Sequence, residues 1–274
     1  MIKDLWDQTH YYKKYSREKE GEDVKIVQIS DIHCASSPIF LADKLKTAIR
    51  EIKQINPEVV VISGDLTQNG FKDEMEDVKL FIDQIDCDKI ITTMGNHDAL
   101  FTGYIPFEEI FGPASGVVEG DEYKIVYVNT ARPDKDEGRV GREQIDLIRR
   151  EFENSDKFDI LVMHHHLIPV PDTGLEQAIV EDAGDVLKII SSIRLDLVLS
   201  GHRHRPWRWK LNGTQFVFAG AVSTRRLRGF FENSYNIIEI DPEEETITPK
   251  LKVVGGPLLD FDTLIKYTGI YQCY

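Results

Sequence analysis

Cysteine is scarce in this chain. Its three residues, Cys34, Cys87 and Cys273, are odd in number and have no metal-ligand spacing among themselves, so neither a disulfide framework nor a zinc knuckle is implied. That usage fits a reducing cytoplasm. Long apolar runs are missing as well. None approaches the ~20 residues that cross a bilayer, and the charged segment 1–23 has no apolar stretch of the kind a signal peptide carries. A cytoplasmic protein without a membrane partner is therefore expected. Positive charge is short: 33 Lys and Arg stand against 47 Asp and Glu, a net charge of −14. A balance this acidic argues against an unspecific nucleic-acid binder. Internal repeats, low-complexity tracts and linkers are absent, and a 274-residue chain with 41% apolar and 29% charged content suits one large folded domain, here placed at residues 24–254.

Histidine is present in informative places. Of eight, His10 alone reads as plain surface. His33, His97, His164, His165, His166, His202 and His204 each follow an apolar, strand-like run, beside Asp, Asn or Gly. Val24 to Ser30 delivers Asp31-Ile32-His33. On an extended backbone residues two apart point the same way, so this carboxylate and this imidazole can reach one point. Glu58 to Ser63 delivers Gly64-Asp65, and Lys89 to Met94 delivers Gly95-Asn96-His97-Asp98. Helical periods from Leu41 to Asn56, closed by Pro57, and from Lys72 to Gln84 separate these strands. Such alternation predicts a parallel sheet with helical crossovers and ligands at the strands' carboxyl ends.

Further along, Phe101 to Gly120 reads as an irregular loop over the site. Tyr123 to Asn129, Phe158 to Met163 and Leu195 to Ser200 read as strands, with helices from Arg142 to Asn154 and Glu176 to Ile193. Gln215 to Ala219, Tyr235 to Ile240 and Thr246 to Val254 have an antiparallel look, and Trp207 and Trp209 suit core or rim. The tail 255–274 is apolar enough to dock on the domain or on a second copy, the latter giving a homodimer.

Asp31, His33, Asp65, Asn96, one or more of His164 to His166, His202 and His204 make a mixed nitrogen and oxygen donor set. Such a set suits Mn²⁺, Fe²⁺, Co²⁺ or Zn²⁺. Its size is too large for one ion and about right for two, with Asp65 placed to be shared. Arg203, Arg205, Arg208, Lys210, Arg225, Arg226 and Arg228 concentrate positive charge near the last histidines, which suits a phosphate-bearing substrate.

The blocks Asp31-Ile32-His33, Gly64-Asp65, Gly95-Asn96-His97-Asp98, the His164 to His166 run and Gly201-His202-Arg203-His204, in that order over residues 24 to 240, resemble the motif set of the calcineurin-like metallophosphoesterases. Gly64 to Gly70 and the histidine run ahead of Pro169 look most like the class III cyclic nucleotide phosphodiesterases and their glycerophosphodiesterase relatives. The resemblance implies an α/β fold of four layers, α/β/β/α, with two mixed sheets face to face and helices outside. It implies one divalent metal held by Asp31, His33, Asp65 and His204, and a second by Asp65, Asn96, His165 and His202. The register of the triplet stays open by one residue, since period two would put His164 and His166 on one face and His165 on the other. Implied too are hydroxide attack on a small phosphodiester, Asn96, His97 and Arg203 at the substrate, His97 as acid or electrostatic support for the leaving oxygen, and Asp98 fixing the His97 tautomer. A phosphomonoesterase, a nuclease and a non-catalytic metal-binding scaffold are the alternatives. A scaffold would be expected to have lost ligand positions, and here each is filled.

Overall fold

The computed structural model describes residues 23–174, 179–193 and 195–267. Strand β1 (Val24–Ile29), helix α1 (Ala42–Ile55), β2 (Val59–Ser63), α2 (Lys72–Ile82) and β3 (Lys89–Thr93) form the expected right half of an open sheet, with β1, β2 and β3 parallel in that order. Next come α3 (Tyr104–Phe111), β4 (Gly116–Glu119), β5 (Tyr123–Val128), α4 (Arg142–Phe152), β6 (Phe158–Met163), α5 (Ala183–Ile193) and β7 (Leu197–Ser200). Then β8 (Trp207–Leu211), β9 (Thr214–Phe218), β10 (Ser234–Asp241), β11 (Thr246–Val253), β12 (Leu258–Asp260) and α6 (Phe261–Tyr267) complete the described chain. The strands build two six-stranded mixed sheets, ordered β12-β11-β10-β1-β2-β3 and β4-β5-β6-β7-β9-β8.

Period-two alternation sorts the strand side chains into three apolar layers. Val59 and Val61 of β2, with Ile160 and Val162 of β6, face each other between the sheets. Val60 and Ile62 turn outward to Leu45, Ile49 and Ile52 of α1. Leu161 and Met163 turn the other way, to Ile148 of α4 and Val186 and Ile190 of α5. Strands buried on both faces are continuous Val/Ile/Leu runs for this reason. The four-layer α/β/β/α arrangement is thus the one the family resemblance implied. Helix α1 ends as its sequence directs: Asn56 takes the left-handed conformation (φ 51°), its N–H donates to the Ile52 carbonyl, and Pro57 bars continuation.

Several local expectations change. Residues 101–120 are not an open loop but carry α3 and the edge strand β4. Pro106 falls in the first turn of α3, where its missing N–H costs nothing, and buried Phe107 anchors that helix in the core. Helix α5 begins at Ala183, because residues 180–182 are used elsewhere. Asp182 accepts from the Val140 and Gly141 amides at 2.9 and 2.7 Å; residues 175–178 lie outside the described residues. Strand β9 is parallel to β7 and antiparallel only to the unforeseen β8. The start of the tail adds β12 beside β11 and buries Phe261 and Leu264 between the sheets, so it docks on its own domain. All but Asp23 of the charged N-terminal segment 1–23, and residues 268–274, lie outside the described residues. No helix among the described residues is long and apolar enough to cross a membrane.

Candidate metal centre

The ligand candidates occupy loops at the carboxyl ends of β1, β2, β3, β6 and β7, and the backbone there is not extended. Asp31, His33, Asp65, His202 and His204 all have positive φ, at 53°, 51°, 53°, 70° and 53°. The convergence of Asp31 and His33 therefore comes from left-handed curls, not from strand alternation, which ends at Ile29. Left-handed backbone costs a non-glycine residue roughly 1–2 kcal/mol, a strain concentrated at functional sites. The motif glycines make room for this crowding. A Cβ on Gly95 would lie 2.1 Å from Asp65 Oδ1, and one on Gly201 would lie 2.0 Å from Ser30 Oγ.

Asp31, His33, Asp65 and His204 form a buried group whose donor atoms all lie within 4.8 Å of one another. His33 Nε2 faces His204 Nε2 at 3.0 Å, His204 Nε2 is 3.2 Å from Asp31 Oδ1, and His33 Nε2 is 3.6 Å from Asp65 Oδ2. His204 donates its Nδ1–H to the Arg226 carbonyl, which leaves the Nε2 lone pair turned inward. Burial, with Asp65 opposing it, keeps the His33 pKa well below its ordinary value. Two inward imidazole nitrogens and two carboxylates around one point are electron-rich without a cation, so this donor set fits a divalent metal.

The second group continues from the other Asp65 oxygen. His164 donates Nδ1–H to the Ser63 carbonyl at 2.8 Å and aims Nε2 at Asn96 Oδ1 (3.2 Å) and Asp65 Oδ1 (3.4 Å). His202 Nδ1 is 2.9 Å from Asn96 Oδ1. Burial alone would lower the His164 pKa, but the Asp65 carboxylate beside it wins and pushes it up to about 9. A proton there does what a bound cation would do, which is itself a sign that the donor set fits one. Around Asp65 burial favours the neutral acid, yet His164, His97 and His33 hold its carboxyl well below the usual range. Burial keeps His202 and His165 low.

His165 lies in the same histidine group as His164 and His202, yet both of its nitrogens are engaged elsewhere. Nδ1 meets Thr130 Oγ1 at 2.8 Å and Nε2 meets the Asp136 carbonyl at 3.1 Å. Thus the structure brings His164, not His165, to Asp65 and Asn96. The reason is parity: Phe158, Ile160 and Val162 of β6 face the first sheet, and His164 continues that face. His166 lies nearly parallel to His202, with ring centroids 5.7 Å apart.

Asp98 also departs from expectation. It does not reach His97. Its buried carboxylate accepts from the Leu66, Thr67 and Gly95 amides at 3.2, 2.9 and 2.9 Å and from Thr67 Oγ1 at 2.9 Å, tying two ligand loops together. Burial first, then the Asp65 charge, push its pKa up to about 6. The His97 tautomer is set instead by the Gln68 carbonyl, 2.6 Å from Nδ1. His97 Nε2 accepts from Arg226 Nη1 at 3.2 Å. Asn96, His97, His202, Arg203, His204, Asp65, Arg226, Arg228 and Asp136 line one cavity of about 140 Å³. Arg203 is partly committed, donating Nη2–H to the Thr173 carbonyl at 2.8 Å and to its hydroxyl at 2.7 Å.

Comparison with known sequences decides the family. Residues 24–206 match the calcineurin-like phosphoesterase family profile. This chain belongs to that family. A probable cyclic nucleotide phosphodiesterase of Xenorhabdus bovienii is 24% identical to this phosphoesterase over 80% of the chain and 97% of the relative. A 3',5'-cyclic adenosine monophosphate phosphodiesterase of Haemophilus influenzae is 23% identical over 73% and 76%. Among solved structures, a dimetal phosphatase from Danio rerio superposes with a TM-score of 0.69 at 11% identity, covering 87% of this chain and 99% of that one. A purple acid phosphatase from yellow lupin also gives 0.69, at 15% identity over 88% of this chain and 53% of that one. The phosphoesterase is accordingly a hydrolase of phosphate esters with a metallophosphatase fold.

Sequence reading of this phosphoesterase missed Gln68, Thr130 and Asp136. They lie in loops without periodicity and act through backbone carbonyls or a hydroxyl, so no residue-type pattern announces them. The stretch Arg225 to Arg228 was legible as a source of positive charge for phosphoryl oxygens, without a choice among its arginines; the structure places Arg226 against His97.

Proposed function

We propose that this phosphoesterase hydrolyses phosphodiesters with two divalent cations, Mn²⁺, Fe²⁺, Co²⁺ or Zn²⁺, one at Asp31, His33, Asp65 and His204 and one at Asp65, Asn96, His164 and His202. The observation that carries the reading is Asp65, which turns Oδ2 to His33 and Oδ1 to His164 and so joins the two groups. Bound cations supply Lewis-acid polarisation of phosphoryl oxygens and make hydroxide available near neutral pH.

The chain's own residues do the rest. Burial holds His33 and His202 as neutral donors. The Gly95 and Thr67 amides on Asp98 fix the loop that presents Asn96 and His97. His97 keeps Nδ1–H on the Gln68 carbonyl and accepts from Arg226 at Nε2, so it supports the leaving oxygen electrostatically by holding that guanidinium at the cavity. Arg203 and Arg226 supply positive charge for the phosphoryl oxygens. Cyclic nucleotides, named in the relatives, are the first natural diesters to try, and a reducing cytoplasm is the setting the cysteine usage favours.

The test is Mn²⁺-dependent hydrolysis of bis(p-nitrophenyl) phosphate against p-nitrophenyl phosphate, with Asn96→Ala as control. Preference for the diester, with Asn96→Ala nearly inactive, supports the reading. A metal-loaded protein that cleaves neither ester refutes it.

A further inference from the structure

Two residues outside the ligand set share an unusual construction. Arg226 gives its carbonyl to His204 Nδ1 and its guanidinium to His97 Nε2. Asp136 gives its carbonyl to His165 Nε2 and sets its carboxylate 3.5 Å from Asn96 Nδ2. Each therefore clamps a histidine through its backbone and presents a charged side chain to the same cavity. Arg226 stands on the His33/His204 side and Asp136 on the Asn96/His202 side.

Their charges are also available. Several other cations among the described residues are matched: Arg205 by Asp172, Arg208 by Asp262, Arg132 by Glu181. The ion pairs among the described residues include neither Arg226 nor Asp136. A guanidinium has five donors, and the bond to His97 uses one. A carboxylate has about four acceptor positions, and Asn96 engages one at long range. The cavity is small, about 140 Å³, against the ~300–1,000 Å³ of sites that enclose a whole drug-sized ligand. It takes a phosphoryl group and leaves the alcohols of a diester at the rim, where these two charges stand.

We propose that Arg226 and Asp136 form a polarity axis that orients the substrate, Arg226 binding a non-bridging phosphoryl oxygen and Asp136 accepting from a hydrogen-bond donor on an esterified alcohol. The preferred substrates are then phosphodiesters whose alcohol carries a hydroxyl or an ammonium N–H near the ester. This rests on the phosphodiesterase reading and narrows its substrate class. Asp136 is exposed at the cavity rim, within reach of an alcohol left there, and a hydrogen bond to a charged acceptor favours the analogue that carries the donor.

The test uses the full chain loaded with Mn²⁺ and two matched pairs of diesters. 3',5'-cyclic AMP against its 2'-deoxy analogue varies a hydroxyl; glycerophosphoethanolamine against glycerophosphocholine varies an ammonium N–H. The wild type is expected to prefer the donor-bearing member of at least one pair by about tenfold or more in kcat/KM. Asp136→Asn should erase that ratio while both members feel equally any change at Asn96, so the ratio isolates the contact. Which pair responds identifies the donor. Separately, Arg226→Ala should weaken binding of inorganic phosphate about tenfold at unchanged metal content, with Arg226→Lys restoring part of it. A ratio near one in both pairs, or a ratio unmoved by Asp136→Asn, overturns the Asp136 end. Phosphate binding indifferent to Arg226→Ala overturns the other. Loss of all diester turnover in the wild type would refute the phosphodiesterase reading instead, and the phosphate measurement still judges Arg226.

Discussion

The two sheets deliver their candidate ligands differently. The first hands over Asp31 and His33 after β1, Asp65 after β2, and Asn96 after β3, one short loop per strand. Each loop holds a single plausible donor of its kind, so residue type alone identifies it. The second sheet offers three consecutive histidines after β6, all buried, and residue type cannot choose among them. Strand parity can: the face of Val162 is the face of His164, and it looks toward Asp65. The lesson is that adjacency to a motif ranks below the direction in which a strand leaves its last core residue.

Substitutions that separate the two sheets sharpen this comparison. The largest effect is expected at the residue that joins them. Asp65→Ala removes a donor from both groups, and diester hydrolysis should fall by more than about a thousandfold, beyond the ~10–100-fold typical of a residue that only supports a ligand; steady-state kinetics at saturating Mn²⁺ checks it. In the second sheet His164→Ala should approach that loss, while His165→Ala, which frees Thr130 and the Asp136 carbonyl, should stay within the ~10–100-fold range. Equal losses for the two histidines would undo the parity argument.

Metal uptake at the second group should also depend on pH through His164. Its pKa is raised from 6.5 to about 9 in the metal-free protein, so a cation must displace its proton, whereas His33 and His202 are already neutral. Apparent affinity at the second group should then rise about tenfold per pH unit up to about pH 9. By linkage, the raised pKa contributes stability to the metal-free protein that is fully present below pH 6.5 and is lost as pH climbs through about 9. Calorimetric titration with Mn²⁺ at several pH values, and thermal melts with and without metal, read both. A smaller effect belongs to Asp98. Asp98→Ala orphans buried amides of Leu66, Thr67 and Gly95 and should cost about 2–4 kcal/mol in urea unfolding.

Much of this was legible beforehand. The Val59 to Ser63 run, the 3.6-residue period of α1 and its Asn56-Pro57 stop marked the strand–helix alternation of the first sheet, because burial on both faces and amphipathic packing leave direct marks on composition; the four layers were what the family resemblance implied. The candidate donors other than the triplet member could be named from sequence because no neighbour of the same residue type competes directly beside each of them. What was not legible depended on backbone geometry. Left-handed curls at Asp31, His33, Asp65, His202 and His204 were not legible from residue type, because Asp and His are enriched in that region but mostly lie elsewhere, and they replaced the extended geometry assumed for Asp31 and His33. Helix α3 hid behind Pro106 and two flanking glycines. Asp98 sits next to His97 in sequence but faces Thr67, and no spacing rule shows that.

The central claim is two cations with His164 in the second group, and metal content per chain tests it most directly. Mass spectrometry of Mn²⁺-loaded, desalted protein should find two ions in the wild type and in His165→Ala and one in His164→Ala. Two ions in His164→Ala and one in His165→Ala, or a single ion in the wild type, would contradict the account.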